Sequence, residues 1–346
     1  MTYRKTALIT GVTGQDGSYL AQLLLQKGYR VIGASRRAST LNLPRLAYLD
    51  IAQDIELRTL DVLDATNVVR IIEDVAPDEI YNLGGQSSVQ TSFEQPLYTG
   101  EVIGLGTLRL LEAVNLVKSD ARLYNASSSE MFGHSTASKV DENTPFSPRS
   151  PYGVAKLYAH WAVVNYREAY NMHASNGILF NHESPLRGMD FVTRKITTTL
   201  AQIANGGQQM LYLGNLDNAR DWGFAGDYVN AMWRMLQQDE ADDFVIASGH
   251  IHSVRGFVEL AAQAIGIEVQ WQGTGVDEVG VEKKTGRQLI AIDGRFYRPT
   301  EPDPLTGDAS KAKAVLQWTP QVSFQQLVEQ MALADMARAR DGQVWY

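Results

Sequence analysis

Two residues with complementary acid–base chemistry, Tyr152 and Lys156, stand four positions apart in the sequence. The pattern around them predicts a helix to about residue 170, so both side chains would share one helix face. An ammonium beside a phenol favours the phenolate and lowers a phenol pKa that starts near ~10. The pair can therefore act as a phenolic acid or base near neutral pH, although the same spacing also occurs on ordinary solvated helix faces.

A serine-rich stretch with one carboxylate lies upstream of this pair. Ser127, Ser128, Ser129 and Glu130 directly follow a predicted strand at 122–126. Ligands of parallel sheets bind at the carboxyl ends of the strands. We therefore expect this stretch to lie at the ligand-binding edge of a sheet.

A glycine-rich turn near the N-terminus is the first element that would position a ligand for these residues. Gly11, Gly14 and Gly17 are spaced G-x-x-G-x-x-G between an apolar run at 6–10 and an amphipathic segment that ends near residue 27. This order predicts a strand, a tight turn and a helix. Bare backbone and helix N–H groups at such a turn can bind a pyrophosphate. Glycine-rich turns also simply connect elements, but the flanking strand and helix favour a dinucleotide site.

The end of the second predicted strand bears on which dinucleotide would bind. A fold that prefers NAD usually carries an acidic residue there for the ribose 2′-hydroxyl. This sequence has no acidic residue between Val31 and Leu49, and Arg36 and Arg37 follow the strand instead. Two guanidiniums suit a 2′-phosphate because each donates paired N–H groups. The pattern favours NADP, with a solvated surface pair as the alternative.

Strand and helix patterns alternate along the first half of the chain with short connections. The strand-like runs lie at 6–10, 30–34, 55–60, 79–83, 122–126 and 174–180. This alternation predicts an α/β fold with a right-handed, doubly wound parallel sheet of Rossmann type. We expect residues 1–180 to form the NADP-binding domain, with later segments returning to it. Residues 181–346 would form mainly a smaller α/β lobe for the substrate.

Two further strand ends carry residues that suit a dinucleotide. Asp61 and Val62 follow the third strand and are candidates for an adenine contact. The fourth strand runs into Gly84-Gly85-Gln86-Ser87. Small residues there would let the ribose and nicotinamide approach the backbone, with a plain turn as the alternative.

Composition limits the partners and the chemistry. The formal net charge of −8 over 346 residues argues against nucleic acid or an anionic membrane as the main partner. The absence of cysteine excludes disulfides and a thiolate nucleophile, and the sequence suggests no metal site. No apolar run reaches the ~18 residues of a membrane span. The N-terminus lacks a signal-peptide pattern, so we expect a cytoplasmic protein.

An anionic substrate would need local cations in this acidic chain. Arg194 and Lys195, Arg220, and Arg298 stand in turn-like stretches and are candidate clamps for a substrate pyrophosphate. Each of them, taken singly, is also compatible with an ordinary surface charge.

Longer blocks of sequence resemble the extended short-chain dehydrogenase/reductases and, within them, the GDP-mannose 4,6-dehydratase family. The blocks are GVTGQDGSYL, SSEMFG, PRSPYGVAKLYAHW, LFNHESPLRG, FVTRKI, LGNLDNARDWGFAGDYVNAMW and RPTE. They extend from Gly11 to Glu301, nearly the whole chain. The NHESP and RDWG blocks are far more specific than the motifs shared across the superfamily.

The resemblance implies a catalytic group, a cofactor site and a GDP-sugar site. The implied catalytic residues are Ser128, in place of the usual threonine, with Glu130, Tyr152 and Lys156. The implied NADP residues are Gly11, Thr13, Gly14, Gln15, Asp16, Gly17, Arg36, Arg37, Asp61, Val62, Leu83, Gly84, Gly85, Gln86, Ser87, Tyr98, Tyr152, Lys156, His182 and Arg187. The implied GDP-sugar residues are Ser87, Ser128, Glu130, Asn181, Lys195, Arg220, Arg298 and Glu301. The family is typically a homodimer or homotetramer, with a tightly bound NADP that is regenerated in each cycle.

The implied chemistry is the loss of water across C5–C6 of GDP-mannose. The C5 proton becomes acidic only after C4 is oxidised to a ketone. Tyr152 would take the 4-hydroxyl proton while a hydride passes from C4 to NADP, and Ser128 would hydrogen-bond the 4-oxygen. Glu130 would then remove the C5 proton and help expel the 6-hydroxyl, and the hydride would return to C6. Positioned acid–base groups contribute ~10²–10⁴-fold each.

Other functions remain open on the sequence alone. An NADPH-consuming GDP-keto-sugar reductase or epimerase needs Tyr152 and Lys156 but has no use for Glu130, which would then be an exposed acid capping the loop. A dehydratase for a related GDP-manno-heptose would share all the catalytic residues. A non-catalytic NADP-sensing protein is disfavoured by the intact tyrosine–lysine pair.

Overall fold

Contacts within the chain divide the molecule into two compact units. The computed structural model describes residues 5–39, 42–135, 137–296 and 304–342. The first unit comprises Met1–Phe180, Ala225–Ser248 and Gly307–Thr319, and the second comprises Asn181–Phe224, Gly249–Thr306 and Pro320–Tyr346. The chain therefore leaves the first unit after residue 180 and returns to it twice.

Strands and helices are numbered here in chain order over the described residues. The strands are β1 (Thr6–Thr10), β2 (Arg30–Ser35), β3 (Glu56–Thr59), β4 (Glu79–Asn82), β5 (Arg122–Ser128), β6 (Ala174–Leu179), β7 (Asn181–Glu183), β8 (Leu211–Leu213), β9 (Ala219–Phe224), β10 (Asp243–Ile246), β11 (Ile251–Ser253), β12 (Val269–Gln272), β13 (Val279–Glu282) and β14 (Gln288–Ile292). The helices are α1 (Gln15–Gln26), α2 (Pro44–Tyr48), α3 (Ala65–Val75), α4 (Val89–Glu94), α5 (Pro96–Thr99), α6 (Gly106–Leu116), α7 (Pro151–Tyr170), α8 (Val192–Ala204), α9 (Ala225–Met235), α10 (Val254–Ala264), α11 (Ser310–Val315) and α12 (Phe324–Arg340). A π-helical turn, Gly100–Leu105, leads into α6.

The first unit is built on a seven-stranded sheet in the order β10-β6-β5-β4-β1-β2-β3. Every neighbouring pair in this sheet is parallel. The order places β1 beside both β2 and β4, so the chain reverses its direction of travel across the sheet between β3 and β4. The predicted doubly wound parallel sheet of Rossmann type is confirmed.

Both faces of this sheet are covered by helices, which explains why its strands are apolar on both sides. Alternate residues of β1 show the pattern, because Ile9 packs with Leu20 and Leu24 of α1. Leu8 faces the opposite side and packs with Leu110 and other residues of α3, α6 and α7. Burying a leucine or isoleucine of this kind contributes roughly 1.5–3 kcal/mol.

The start of α7 has a strong local sequence signal. The Ser150 side chain caps the helix by accepting a hydrogen bond from the Gly153 backbone N–H at 3.0 Å. Pro151 occupies the first helical position, where its missing N–H is not needed. These residues fix the point at which the helix begins, so Tyr152 lies in the first turn and Lys156 in the second. The helix predicted from this pair to about residue 170 is confirmed.

The second unit contains two small sheets and the helices α8, α10 and α12. One sheet has the order β11-β9-β7 and the other β12-β13-β14-β8. The three helices share an apolar core with the strands. Helix α12 begins with a capping box, in which Ser323 and Gln326 each accept a hydrogen bond from the other's backbone N–H. Within the described ranges, the structure contains no helix long and apolar enough to cross a membrane.

Candidate active site

The glycine turn between β1 and α1 is tightly packed against its own backbone. Gly11 adopts φ of +71°, a left-handed conformation that favours glycine. A Cβ atom at Gly17 would lie 2.6 Å from the Cα of Val12 and closer still to the carbonyl oxygen of Gly11. Gly14 precedes α1 and has no side chain to cap its first N–H groups. A helix that begins directly after such a glycine turn suits an anion at its N-terminus.

The glycine turn also lies against the end of β4. A Cβ atom at Gly11 would be 2.9 Å from both the carbonyl oxygen of Leu83 and the Cα of Gly84. The hydroxyl of Thr10 accepts hydrogen bonds from the backbone N–H groups of Leu83 at 3.1 Å and Gly84 at 2.9 Å. Two separate stretches of predicted cofactor residues are thus brought together. Thr10 was not among the predicted site residues, and its side chain holds them in place.

The two arginines after β2 are exposed at the end of their strand. One Nη atom of Arg36 donates a 2.6 Å hydrogen bond to the hydroxyl of Tyr98, and its guanidinium lies 5.8 Å from the centre of that ring. Arg36 and Tyr98 are 62 positions apart in the sequence and were both predicted to contact the cofactor. Asp61 follows β3, where its carboxylate accepts a hydrogen bond from the Leu63 N–H at 3.0 Å.

The tyrosine–lysine pair lies where α7 begins, beside the end of β5. Tyr152 is buried, and the Nζ atom of Lys156 is 5.7 Å from the centre of the tyrosine ring. The same Nζ donates a 2.6 Å hydrogen bond to the carbonyl oxygen of Ala126. Burial lowers the pKa of Lys156 from 10.5 to about 8, against an opposing effect of the Asp16 carboxylate in the first turn of α1. The positive end of the α7 dipole also favours a phenolate in the first helical turn.

Ser128 and Glu130 follow one another at the end of β5, close to the start of α7. Strand β5 is two residues longer than predicted, so Ser128 is its last residue and not part of a loop. The Ser128 hydroxyl accepts a 3.2 Å hydrogen bond from the Glu130 N–H, and Glu130 lies on a short 3₁₀ turn, half-buried. A Cβ atom at Gly153 would be 2.7 Å from the Glu130 carbonyl oxygen. The end of β5 and the start of α7 therefore bring Ser128, Glu130, Tyr152 and Lys156 into one small region.

Five of the predicted binding residues that the structure describes lie in the second unit: Asn181, His182, Arg187, Lys195 and Arg220. Asn181 and the buried His182 belong to β7, and Arg220 belongs to β9. Arg187 lies 3.2 Å from the Glu183 carboxylate, and its guanidinium stacks 3.5 Å from the centre of the Phe191 ring.

Lys195 is the other described member of this group. Its Nζ lies 3.2 Å from the centre of the Phe296 ring, and burial lowers its pKa, with the nearby Asp293 carboxylate acting in the opposite direction. Arg298 and Glu301 lie outside the described residues.

Arg194 is neither a phosphate clamp nor a surface charge, so both expectations for it were wrong. Its side chain is only 2% exposed. Two guanidinium nitrogens contact the Asp335 carboxylate of α12 at 3.1 and 3.0 Å, and a third donates to the carbonyl oxygens of Pro185 and Arg187 at 2.9 and 2.7 Å. Arg194 therefore holds the loop that carries Arg187 in place. Its guanidinium is buried and hydrogen-bonded within the protein, so it cannot bind a substrate phosphate.

The chain is similar to known proteins over nearly its whole length. A family model described as GDP-mannose 4,6 dehydratase matches residues 8–331 of the chain. A GDP-mannose 4,6-dehydratase from Sinorhizobium fredii (strain HH103) is 52% identical, with 98% of this chain and 99% of the relative covered. The GDP-mannose 4,6 dehydratase of Homo sapiens is 53% identical, with 97% and 93% covered.

A solved structure shows the same fold at lower identity. The dTDP-glucose 4,6-dehydratase from Bacillus anthracis, in complex with NAD, aligns with a TM-score of 0.79. The alignment covers 97% of this chain and 98% of that one at 19% sequence identity.

Proposed function

The chain belongs to the GDP-mannose 4,6-dehydratase family, and we propose that it converts GDP-mannose to GDP-4-keto-6-deoxymannose by an internal transfer of hydride from C4 to C6. The match to the family over nearly the whole chain supports the reaction as a whole. The observation that supports the mechanism is that the backbone of Glu130 lies against the start of α7, next to Tyr152, since a Cβ atom at Gly153 would be 2.7 Å from the Glu130 carbonyl oxygen. A reductase needs the pair alone, whereas removal of water requires a further base for the C5 proton.

The residues at the end of β5 and the start of α7 divide the proton transfers among them. Tyr152, as a phenolate, takes the proton of the 4-hydroxyl, and the Lys156 ammonium stabilises the phenolate. The Ser128 hydroxyl donates a hydrogen bond to the 4-oxygen as C4 becomes a ketone. Glu130 then takes the C5 proton and delivers it to the departing 6-hydroxyl, which leaves as water. When C6 is reduced, the Tyr152 hydroxyl gives its proton to C5, so the phenolate and the Glu130 carboxylate are both restored. A bound nicotinamide cofactor supplies the hydride acceptor for C4 and the hydride donor for C6.

The glycine turn fits a dinucleotide. The residue that precedes α1, Gly14, makes no side-chain cap, and a Cβ atom at Gly11 would fill the space where the turn meets Leu83 and Gly84. We expect the pyrophosphate at the start of α1 and the nicotinamide ribose near Gly84–Ser87 and the Tyr152 hydroxyl. His182 and Arg187 are further proposed contacts of the cofactor.

The cofactor is NADP in this proposal. Support comes from Arg36 and Arg37, which are exposed at the end of β2 where an acidic residue would favour NAD. The bond between Arg36 and Tyr98 holds one guanidinium in a defined place. Changing both arginines to alanine should weaken NADP binding far more than NAD binding, measured by calorimetry. Equal losses for the two cofactors would show that the arginines do not hold the 2′-phosphate.

The two units have separate roles in this proposal, with the cofactor on the first and the GDP-sugar mainly on the second. Asn181, Lys195 and Arg220 belong to the second unit, and the predicted residues Arg298 and Glu301 would complete the set. Lysine and arginine side chains suit the pyrophosphate of a GDP-sugar because they supply charge-assisted hydrogen bonds.

We propose a homodimer or homotetramer in which α7 lies at an interface. Val154, Tyr158 and Trp161 are 56%, 48% and 55% exposed and fall on one face of that helix. Large apolar side chains clustered on an exposed face typically mark an interaction surface. Trp161→Asp should lower the mass measured by light scattering, whereas Val276→Asp, on the second unit, should leave it unchanged. An unaltered mass for Trp161→Asp would exclude this face.

Glu130→Gln tests the catalytic proposal most selectively. The amide keeps the size of the carboxylate but cannot accept a proton, so oxidation at C4 should proceed and elimination should stop. We expect bound reduced cofactor to accumulate, with loss of exchange of the C5 proton in D₂O. Glu94→Gln, at an exposed carboxylate on α4, is the matched control and should behave as the wild type. A Glu130→Gln variant that forms 6-deoxy product at the wild-type rate would remove Glu130 from the mechanism.

A further inference from the structure

A row of polar side chains crosses the apolar core of the first unit. Thr10, Asn82, Asn125, Asn176 and Asp243 lie on five neighbouring strands and are direct partners in the strand register. The first four are 2%, 6%, 2% and 0% exposed. The first four each stand two residues after an apolar residue of the core that α6 and α7 cover, so they face that side of the sheet; those apolar residues are Leu8, Ile80, Leu123 and Ala174.

Each residue of this row donates a hydrogen bond to the next one, from Thr10 toward Asp243. The Thr10 hydroxyl donates to Asn82 at 3.0 Å, and the amide of Asn82 donates to Asn125 at 3.1 Å. Asn125 donates to Asn176 at 2.9 Å, and Asn176 donates to the Asp243 carboxylate at 3.0 Å. Each amide is therefore satisfied although it is buried. Such a row adds little net stability compared with apolar side chains of the same size. It does specify one pairing register of the strands, because shifting a strand along its neighbour would leave buried amides without hydrogen-bond partners.

The row has a branch toward the catalytic residues. The Ser127 hydroxyl donates to the Asn176 amide oxygen at 3.2 Å and lies 3.3 Å from Nδ1 of His160. Ser127 stands between Ala126, whose carbonyl accepts the bond from Lys156, and Ser128. Because its side chain is anchored in the core, the backbone on either side of it is fixed as well.

His160 lies one helical turn beyond Lys156 on the same side of α7. It is 3% exposed, and its Nε2 lies 3.7 Å from the Asp243 carboxylate. Arg167 is the other charged group that faces this region, and it pairs with Asp243 through two 2.9 Å bonds. Helix α7 is thus linked to β5 at two successive turns, by Lys156 to Ala126 and by His160 to Ser127.

We propose that Ser127, His160 and Asn176 are positioning residues for the reaction. They hold the end of β5 against α7 so that the Lys156 ammonium stays close to the Tyr152 phenol and the Ser128 hydroxyl faces the 4-oxygen. This inference rests on the proposed function of those catalytic residues. The positioning residues themselves lie in the core behind the site and contact neither substrate nor cofactor in this account.

Variants at position 160 and position 127 separate positioning from folding. His160→Leu removes both ring nitrogens at similar volume, and Ser127→Ala removes the hydroxyl. His160→Asn should restore function in part, since its terminal amide is as many bonds from Cβ as Nδ1 is. His173→Leu is the control, because His173 lies half-buried at the amino end of β6 and contacts the Gln238 carbonyl.

We expect kcat to fall roughly 10- to 100-fold in His160→Leu and Ser127→Ala, since small misplacements of reacting groups cost this much. KM for GDP-mannose and NADP affinity should change less than about 2-fold. The pKa of Tyr152 should rise in both variants, because a displaced ammonium stabilises the phenolate less. That pKa is measured from phenolate absorbance, as the difference between each variant and the same variant carrying Tyr152→Phe.

The Tyr152 titration does not depend on turnover, so it separates the two claims. A wild type that makes no 6-deoxy product would contradict the proposed function, while the titration would still decide the positioning role. An unchanged Tyr152 pKa in both variants would overturn the positioning role, whether or not kcat falls. If His160→Leu fails to fold, Ser127→Ala alone decides the question.

Discussion

Lys156 should make the stability of the cofactor-free protein depend on pH in a defined way. The folded protein lowers the pKa of this lysine from 10.5 to about 8 because the ammonium is withdrawn from water. Above about pH 8 the folded protein has released this proton, while the unfolded chain keeps it up to about pH 10.5. Stability therefore rises with pH across that window, since the unfolded state binds more protons there. Below it both states are protonated and the full cost of the buried charge is present.

The size of the effect follows from the two pKa values. A fall from 10.5 to about 8 corresponds to about 3 kcal/mol of unfolding free energy. Between about pH 7 and about pH 9.5 the recoverable part is about 2 kcal/mol. Lys156→Met removes this ionisation and keeps most of the side-chain volume. Any change in packing that does not depend on pH drops out when only the change between the two pH values is compared.

Urea unfolding followed by tryptophan fluorescence measures this difference. Between about pH 7 and about pH 9.5, the unfolding free energy of the wild type should rise by about 2 kcal/mol more than that of Lys156→Met. Lys284→Met, at an exposed lysine, corrects for the general effect of removing one positive charge. Parallel pH profiles for the wild type and Lys156→Met would refute the reasoning, since they would mean that the folded protein does not perturb this lysine.

Two further predictions concern close packing and buried charge. Gly17→Ala should cost about 1–3 kcal/mol of stability and reduce NADP affinity, because the new Cβ meets the backbone of the glycine turn. Gly100→Ala is the control, since nothing lies within 4 Å of its Cβ, and it should change neither quantity. Thermal melts measure the stability and calorimetry measures the affinity. Asp335→Ala should destabilise the second unit by about 3–5 kcal/mol in denaturant titration because it leaves Arg194 charged and buried. Glu268→Ala, which removes an exposed ion pair, should cost less than about 1 kcal/mol. Similar losses for the two acidic variants would contradict the assigned burial.

The sequence predicted those features that depend on local pattern. The glycine turn, six of the seven strands of the central sheet and the helix that carries Tyr152 and Lys156 each have a signal within a few residues, in glycine spacing, apolar alternation or the pattern around the pair. Strand β10 was not predicted. These signals were enough to place Tyr152 and Lys156 on one helix near the end of β5. The fold class followed from the order of the same elements.

Features that depend on distant partners could not be predicted. The sequence around Arg194 is compatible with a phosphate clamp or a surface charge. Its partner in the core, Asp335, lies 141 residues later and could not be identified from the local pattern. The polar row from Thr10 to Asp243 requires both strand order and register, which no local pattern contains. The acceptor for Lys156 is the backbone carbonyl of Ala126, and every residue type supplies the same carbonyl. The π-helical turn before α6 likewise has no signal of its own in the sequence.

Deuterium at C4 of GDP-mannose provides the most direct test of the central claim, that one hydride moves from C4 to C6 within a single turnover. The labelled substrate is incubated with the protein and a catalytic amount of NADP, and the product is examined by NMR while absorbance at ~340 nm is followed. We predict that the deuterium appears in the C6 methyl group, with no net change in reduced cofactor. Deuterium that is retained at C4 or lost to solvent, or NADPH consumption that matches product formation, would contradict the assignment of an internal redox dehydratase.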